Sequence, residues 1–239
     1  MTVFGRNPVR EALKSGRPIE KIMVQDGARN SCSKILALAK DKGVRVEYVP
    51  KKVLDKASDG GAHQGICCSI SAHEYKDIDE IISGAKEDSI LVLLDEIEDP
   101  HNLGAIMRTA ECAGADGVVV TKRRSAGLTD TVAKTSAGAI EYMPCARVNN
   151  MADTVDKLKA AGYWICAADM DGESIWSCDL KGKLAIVIGN EGRGVSRLVK
   201  ERCDFVASIP MVGNINSLNA SNAAAVLLYE ALRQREASK

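Results

Sequence analysis

Hydrophobic and polar positions divide this 239-residue chain into two stretches with different rhythms. In the first, short helical and extended patterns alternate. Asn7 followed by Pro8 predicts a helix capped by Asn7, with Pro8 in its first turn, running to about residue 15 and stopped by Gly16. Residues 21–25 read as a strand. In 31–42, Ile35, Leu36, Leu38 and Ala39 form an apolar stripe at helical spacing, with Gly43 as the stop. A strand over 44–49, a short helix over 50–57 and a buried strand over 66–71 complete an α/β unit, residues 1–72. Residues 73–88 are polar and acidic around Ile78, Ile81 and Ile82, and read as a linker with one short amphipathic helix.

From residue 89 the rhythm changes. The run 90–94 is apolar without interruption, as in strands buried on both faces. Helical patterns over 102–113, 129–136, 151–161, 195–201 and 217–235 alternate with extended runs over 117–121, 141–145, 163–168, 184–188 and 205–209. This alternation predicts a parallel sheet covered on both faces, so residues 89–239 form a second α/β domain.

Composition narrows the picture. At 46% apolar and 27% charged residues, the chain is ordinary globular material. It contains no apolar run of the roughly 18 residues a membrane helix needs. Residues 1–10 carry two arginines and no apolar core of a secretory signal. Eight cysteines without a C-x-x-C pair fit reduced thiols of the cytoplasm better than zinc sites or disulfides, and adjacent Cys67 and Cys68 read as small core hydrophobes. The formal charge is zero but unevenly spread. Residues 1–72 hold 13 Lys and Arg against 7 Asp and Glu, leaving 19 and 25 for the remainder. A basic first third suits a polyanionic partner, although a solvated surface accounts for it equally well.

Open parallel sheets bind ligands at the carboxyl ends of their strands. Three such ends here are rich in Gly and Asn: Asp95-Glu96-Ile97-Glu98-Asp99-Pro100-His101-Asn102-Leu103-Gly104, then Gly189-Asn190-Glu191-Gly192-Arg193-Gly194, then Pro210-Met211-Val212-Gly213-Asn214-Ile215-Asn216-Ser217-Leu218-Asn219. The second has the spacing G-x-x-G-x-G and follows a late strand, so neither the dinucleotide fingerprint nor a phosphate-loop lysine is present. Taken alone it is weak evidence and reads more readily as a tight turn between strand and helix. His63 and His101 are the obvious proton carriers by pKa. His63 falls where an RNA contact or a local turn bond is expected, and nothing in the sequence clusters as a metal site.

Together the three strand ends resemble the motifs of the SpoU/TrmH family of the SPOUT superfamily. The matches are Asn102-Leu103-Gly104-Ala105-Ile106-Met107-Arg108-Thr109-Ala110, then Ile188 through Gly194, then Ile209-Pro210-Met211 with Ser217-Leu218-Asn219-Ala220-Ser221-Asn222-Ala223-Ala224, in the family's order. Phe4-Gly5-Arg6-Asn7-Pro8-Val9-Arg10-Glu11-Ala12-Leu13 and His63-Gln64-Gly65-Ile66 resemble the substrate-binding domain of many bacterial members, which is similar to ribosomal protein L30e.

The resemblance implies a small L30e-like α/β domain and a parallel-sheet methyltransferase domain ending in a deep trefoil knot. It implies transfer of a methyl group from S-adenosylmethionine (AdoMet) to a ribose 2′-hydroxyl, most similar to the members acting on a guanosine of 23S rRNA. The cofactor-lining positions would be Gly189, Ile209 and Leu218, with Asn190, Glu191, Gly192 and Met211 nearby. Arg108 is the residue the family assigns to activating the hydroxyl. An arginine scarcely deprotonates, so its expected work is stabilising a developing alkoxide and gripping the adjacent phosphate. Asn102, Glu191, Ser217 and Asn219 would orient these groups, and Asn102 also reads as a helix cap. RNA would meet Arg6 and Arg10 in the first domain and the run Lys122-Arg123-Arg124 in the second, a run that a solvated face explains as well. Family members are dimers in which one subunit's cofactor lies near the other's arginine. The alternatives are a tRNA ribose methyltransferase on the same core, and a catalytically silent RNA-binding or ribosome-assembly protein.

Overall fold

The computed structural model describes residues 2–15, 18–71 and 73–237, and divides into two compact units. The first takes in the chain up to Glu74 together with Gly127–Asp130, and the second takes in Tyr75–Ala126 and Thr131 onward.

In the first unit, strand β1 (Thr2–Phe4) leads through Gly5, at φ +92°, into helix α1 (Arg6–Lys14). Among the described residues no side chain caps this helix, so Asn7 is not the expected cap; a glycine in a conformation that L side chains rarely adopt makes the entry instead. The expected stop at Gly16 lies outside the described residues. Next come β2 (Ile19–Gln25), α2 (Ser33–Asp41), β3 (Val46–Val49), α3 (Lys51–Ala57) and β4 (Ile66–Ile70). The sheet order is β1-β4-β2-β3; β4 is antiparallel to β1 and β2, while β2 and β3 run parallel. Side chains alternate across a strand. Ile22, Val24 and Cys68 therefore face Val9 and Leu13 of α1 and Ile35 of α2, while Met23 and Cys67 face Leu54 of α3 on the other side. His63 is 7% exposed: its Nδ1 accepts from the Gly65 N–H (3.0 Å), so Nε2 carries the proton and reaches Asp55 (3.0 Å). It serves the local turn bond.

The stretch expected as a linker contributes α4 (Ile78–Ser83), capped by Asp77 and burying Ile81 in the second unit's core. The rest of this unit is β5 (Ile90–Asp95), α5 (Pro100–Cys112), β6 (Gly117–Thr121), α6 (Asp130–Thr135), β7 (Cys145–Val148), α7 (Met151–Ala160), β8 (Trp164–Ser174), β9 (Leu184–Gly189), α8 (Arg197–Arg202), β10 (Phe205–Ser208) and α9 (Ala220–Glu236). Six parallel strands lie in the order β10-β8-β9-β5-β6-β7. Val155 and Leu158 of α7, Val199 of α8 and Ile81 of α4 pack with Leu91, Leu93 and Val187 of the sheet, while α5 and α9 pack against each other and onto β6 and β9. Both faces are covered, so the central strands read as continuous hydrophobic runs.

Two further expectations about local structure fail, both in this unit. The strand expected at 141–145 begins only at Cys145, because Pro144 has no N–H to give the ladder; its carbonyl accepts from Val118 (2.9 Å), and Ala139–Glu141 form a short 3₁₀ turn. The cap of α5 is Asp99, whose carboxylate accepts from the His101 N–H (2.8 Å); Pro100 and Asn102 are the first and third residues of its first turn, and Asn102 is 6% exposed.

Candidate active site

Strand order reverses direction in sequence between β5 and β9, and the carboxyl ends flanking this switch point are where a ligand crevice is expected. A cleft of about 610 Å³ opens there, lined by the turn 189–194, by Ala168 and Asp169 past the start of β8, by Ile209, Pro210 and Met211 after β10, and by Ser217, Leu218 and Ala220 leading into α9.

Its shape comes from glycine and asparagine. A Cβ on Gly189 would come within 2.0 Å of the Gly194 carbonyl carbon and 2.1 Å of the Val195 nitrogen, so the turn after β9 closes only over a bare Cα. Asn190 fastens that turn. Its backbone exchanges hydrogen bonds with Gly194 (3.0 and 2.7 Å), its Oδ1 accepts from the Gly192 N–H (2.9 Å), and its Nδ2 donates to the Glu96 carbonyl (2.9 Å) at the end of β5. Buried Asp95 adds a second tie, accepting from the Ser196 N–H (2.8 Å).

Glu191 joins all three strand ends. Its Oε1 accepts from Asn102 Nδ2 of α5 and from Asn219 Nδ2 (3.1 Å) at the start of α9. Asn219 Oδ1 meanwhile caps α9 by accepting from the Ser221 N–H (2.9 Å). The sequence-predicted residues Gly189, Asn190, Glu191, Gly192, Ile209, Met211, Ser217 and Leu218 all border one cleft, and Asn102 and Asn219 reach it through Glu191.

Arg108 is different. It is exposed on α5 and is not among the residues lining this chain's own cleft. Arg6 holds Gln64 through its N–H (3.0 Å) and Nε (3.2 Å), and Arg10 pairs with Glu11 (3.3 Å). Lys122, Arg123 and Arg124 are exposed, with Arg124 on Glu96 (3.1 Å). Asp95, Glu96 and Asp169 also stand at the site without a sequence signal; the first two open the Asn- and Gly-bearing strand end after β5, but nothing in their spacing marks them. Among the described residues no three His, Cys, Asp or Glu gather as metal ligands, and no helix is long and apolar enough to cross a membrane.

The chemistry of the cleft fits AdoMet. Ile188, Ile209, Met211 and Leu218 offer an apolar slot for an aromatic ring, glycine turns leave backbone groups accessible, and Glu191 adds a carboxylate, while that of Asp169 is paired with Lys200 (3.0 Å).

Comparison with known proteins agrees. The family described as "SpoU rRNA Methylase family" matches residues 89–229, and that described as "RNA 2'-O ribose methyltransferase substrate binding" matches residues 2–76. A Staphylococcus haemolyticus protein assigned to the TrmH family of tRNA/rRNA methyltransferases is 48% identical over 242 residues, covering 98% of this chain and 96% of its own. Among solved structures, the AdoMet-bound rRNA methyltransferase of Sinorhizobium meliloti is similar at a TM-score of 0.63 and 26% identity, covering 98% of this chain and 87% of its own. The TrmH/SpoU tRNA modifying enzyme of A. aeolicus reaches 0.58 at 27% identity, covering 66% of this chain and 81% of its own. Fold and cleft define an AdoMet-dependent RNA methyltransferase. The chain belongs to the SpoU/TrmH family of the SPOUT superfamily.

Proposed function

We propose that this enzyme methylates the ribose 2′-hydroxyl of a guanosine in large-subunit rRNA, acting in the cytoplasm as a homodimer. The observation that carries the reading is the convergence of Asn102, Glu191 and Asn219, from three distant segments, beside one cleft. A ribose as acceptor is supported by the substrate-binding match over residues 2–76. rRNA is supported by the S. meliloti enzyme, whose likeness spans 98% of this chain where that of the tRNA modifying enzyme spans 66%. Residues 1–72 would serve as the L30e-like substrate-binding domain, 73–88 as the connection, and 89–239 as the catalytic domain with its trefoil knot at the C-terminal end. Eight free cysteines suit a reducing compartment.

In this reading Gly189, Asn190, Gly192, Ile209, Met211 and Leu218 hold AdoMet, which supplies an electrophilic methyl group. Glu191 orients Asn102 and Asn219, and Ser217 lies beside them to fix the ligand's polar edge. Arg108, outside its own chain's cleft, would serve the partner subunit's site, holding the 2′-hydroxyl and stabilising the alkoxide as its proton passes to water; a guanidinium that stays charged cannot itself take that proton. Arg6, Arg10, Lys122, Arg123 and Arg124 would meet RNA phosphates.

The test is mass mapping of ribose methylation in rRNA and tRNA from cells with and without the gene. Loss of one methylated guanosine from large-subunit rRNA is expected; loss confined to tRNA, or no loss, overturns the assignment.

A further inference from the structure

Two arginines from separate loops meet one carboxylate beside the cleft. Glu96, the residue after β5, accepts from Arg124 Nη1 at 3.1 Å on Oε1, and its Oε2 lies 3.9 Å from Nη1 of Arg193. Arg124 ends the exposed basic run after β6, and Arg193 stands in the turn after β9 at the border of the cleft. With carboxylate bond lengths of roughly 1.2 Å, these spans hold the two Nη1 atoms within about 9 Å of one another. That is short enough for neighbouring phosphates of one RNA strand.

The arrangement is poorly suited to stabilising the fold. The Arg124 and Arg193 side chains are 61% and 69% exposed, and exposed ion pairs contribute little stability. The acid between them is nevertheless held firmly. Glu96 adopts φ +62° and Arg124 φ +53°, a region that non-glycine residues occupy uncommonly, and the Glu96 carbonyl accepts from Asn190 Nδ2 at 2.9 Å. From this fixed backbone the carboxylate reaches both guanidiniums while leaving most of their donors to solvent. A guanidinium has five donors in a planar fork that matches a phosphate, and each arginine gives Glu96 a single nitrogen. The AdoMet carboxylate is the competing ligand for Arg193. Against it, this guanidinium is turned to the β5 end and stays largely in solvent.

We infer that Arg193 and Arg124, aligned by Glu96, grip adjacent phosphates of the substrate RNA strand at the mouth of the methyl-donor cleft. This rests on the RNA-methylation reading above and adds a role for Arg193, a position inside the second motif to which the resemblance assigns none. Phosphate contacts fix register without reading sequence. They would seat the target ribose over the cleft whatever base it carries.

The test compares wild type with R124Q, R193Q and the double variant. It follows binding of a fluorescein-labelled large-subunit rRNA hairpin by anisotropy across a salt series, and AdoMet binding by calorimetry. Each single substitution is expected to weaken RNA binding about tenfold at low salt and to lower the slope of log K against log salt by roughly 0.7, and the pair by roughly twice that. AdoMet affinity should stay within about twofold of wild type, which also reports intact folding. A wild-type slope in R193Q overturns the inference. So does an AdoMet affinity reduced about tenfold in R193Q with the RNA slope retained, which assigns Arg193 to the cofactor carboxylate. If wild type binds AdoMet but shows no salt-dependent RNA binding, the broader RNA reading fails as well; if wild type binds RNA normally and the variants match it, only this inference fails.

Discussion

Asn102 donates its side-chain amide to the carboxylate of Glu191, 89 positions later in the chain. The same carboxylate oxygen accepts from Asn219, so one acid ties the first turn of α5 to the cap of α9 across the end of β9. Asn102 is buried, and removing its acceptor leaves an amide that water cannot easily reach. Glu191→Ala should therefore destabilise the fold by about 2 kcal/mol in urea unfolding, because a buried polar group left unpaired costs its desolvation. Asn102→Ala should cost less, since Glu191 keeps Asn219 as a partner. A double-mutant cycle between positions 102 and 191 should give a coupling of about 1 kcal/mol. Coupling indistinguishable from zero would mean that the strand ends hold their places independently.

Gly189 poses a harder steric demand. Its Cβ would overlap backbone atoms of Gly194 and Val195 at 2.0 and 2.1 Å, and backbone cannot rotate away as a side chain can. Gly189→Ala should cost about 3 kcal/mol and open the turn that walls the cleft. AdoMet affinity, measured by calorimetry below the unfolding transition, should fall by at least about tenfold. Retained affinity in a stable Gly189→Ala protein would show that the turn does not shape the cofactor site.

If Arg108 serves the partner subunit's cleft, two inactive variants should rescue each other. Arg108→Ala should bind AdoMet normally and turn over no RNA. Ala168→Trp, which fills the cleft, should bind no AdoMet. Co-refolded in equal amounts, the two should recover about a quarter of wild-type activity, since half of the dimers are mixed and each mixed dimer carries one complete site. Mixtures as inactive as their components would place Arg108 in its own subunit's site, or outside catalysis.

Much of this architecture is legible in the sequence, for physical reasons that differ by residue. The run at 90–94 announces a strand because both its faces are covered, and Leu91 and Leu93 are indeed fully buried. Cys67 and Cys68 read as core and are core, on opposite faces of β4. The entry to α1 misleads because Asn-Pro looks like a cap, while the chain turns one step earlier on Gly5. Pro144 was a visible reason to start β7 at Cys145, and the apolar pattern alone does not weigh a missing donor. The join of Asn102, Glu191 and Asn219 has no local signature, since it depends on strand order, which periodicity leaves open. Glu96 is invisible for the same reason: it looks like one more acid in an acidic stretch until the fold places two arginines on it.

Buried thiols make a last, quantitative demand. Burial pushes Cys67 and Cys68 each from the ordinary value of 9.0 up to about 11, and Cys203 up to about 12. Below the ordinary value, folded and unfolded chains both keep these protons. Above it the unfolded chain releases them while the folded chain does not, so the stability they contribute is present at neutral pH and is lost as pH rises toward 11. Between those limits each thiol should remove up to ~1.4 kcal/mol of stability per pH unit. The urea midpoint should hold level up to about pH 8.5 and then fall steeply. Other groups titrate in the same range, so the decisive measurement is a difference. The variant carrying Cys67→Ala and Cys68→Ala should start less stable at pH 7 and lose less between pH 9 and 10.5. Parallel profiles for variant and wild type would show that both thiols titrate in the folded protein as they do in the open chain.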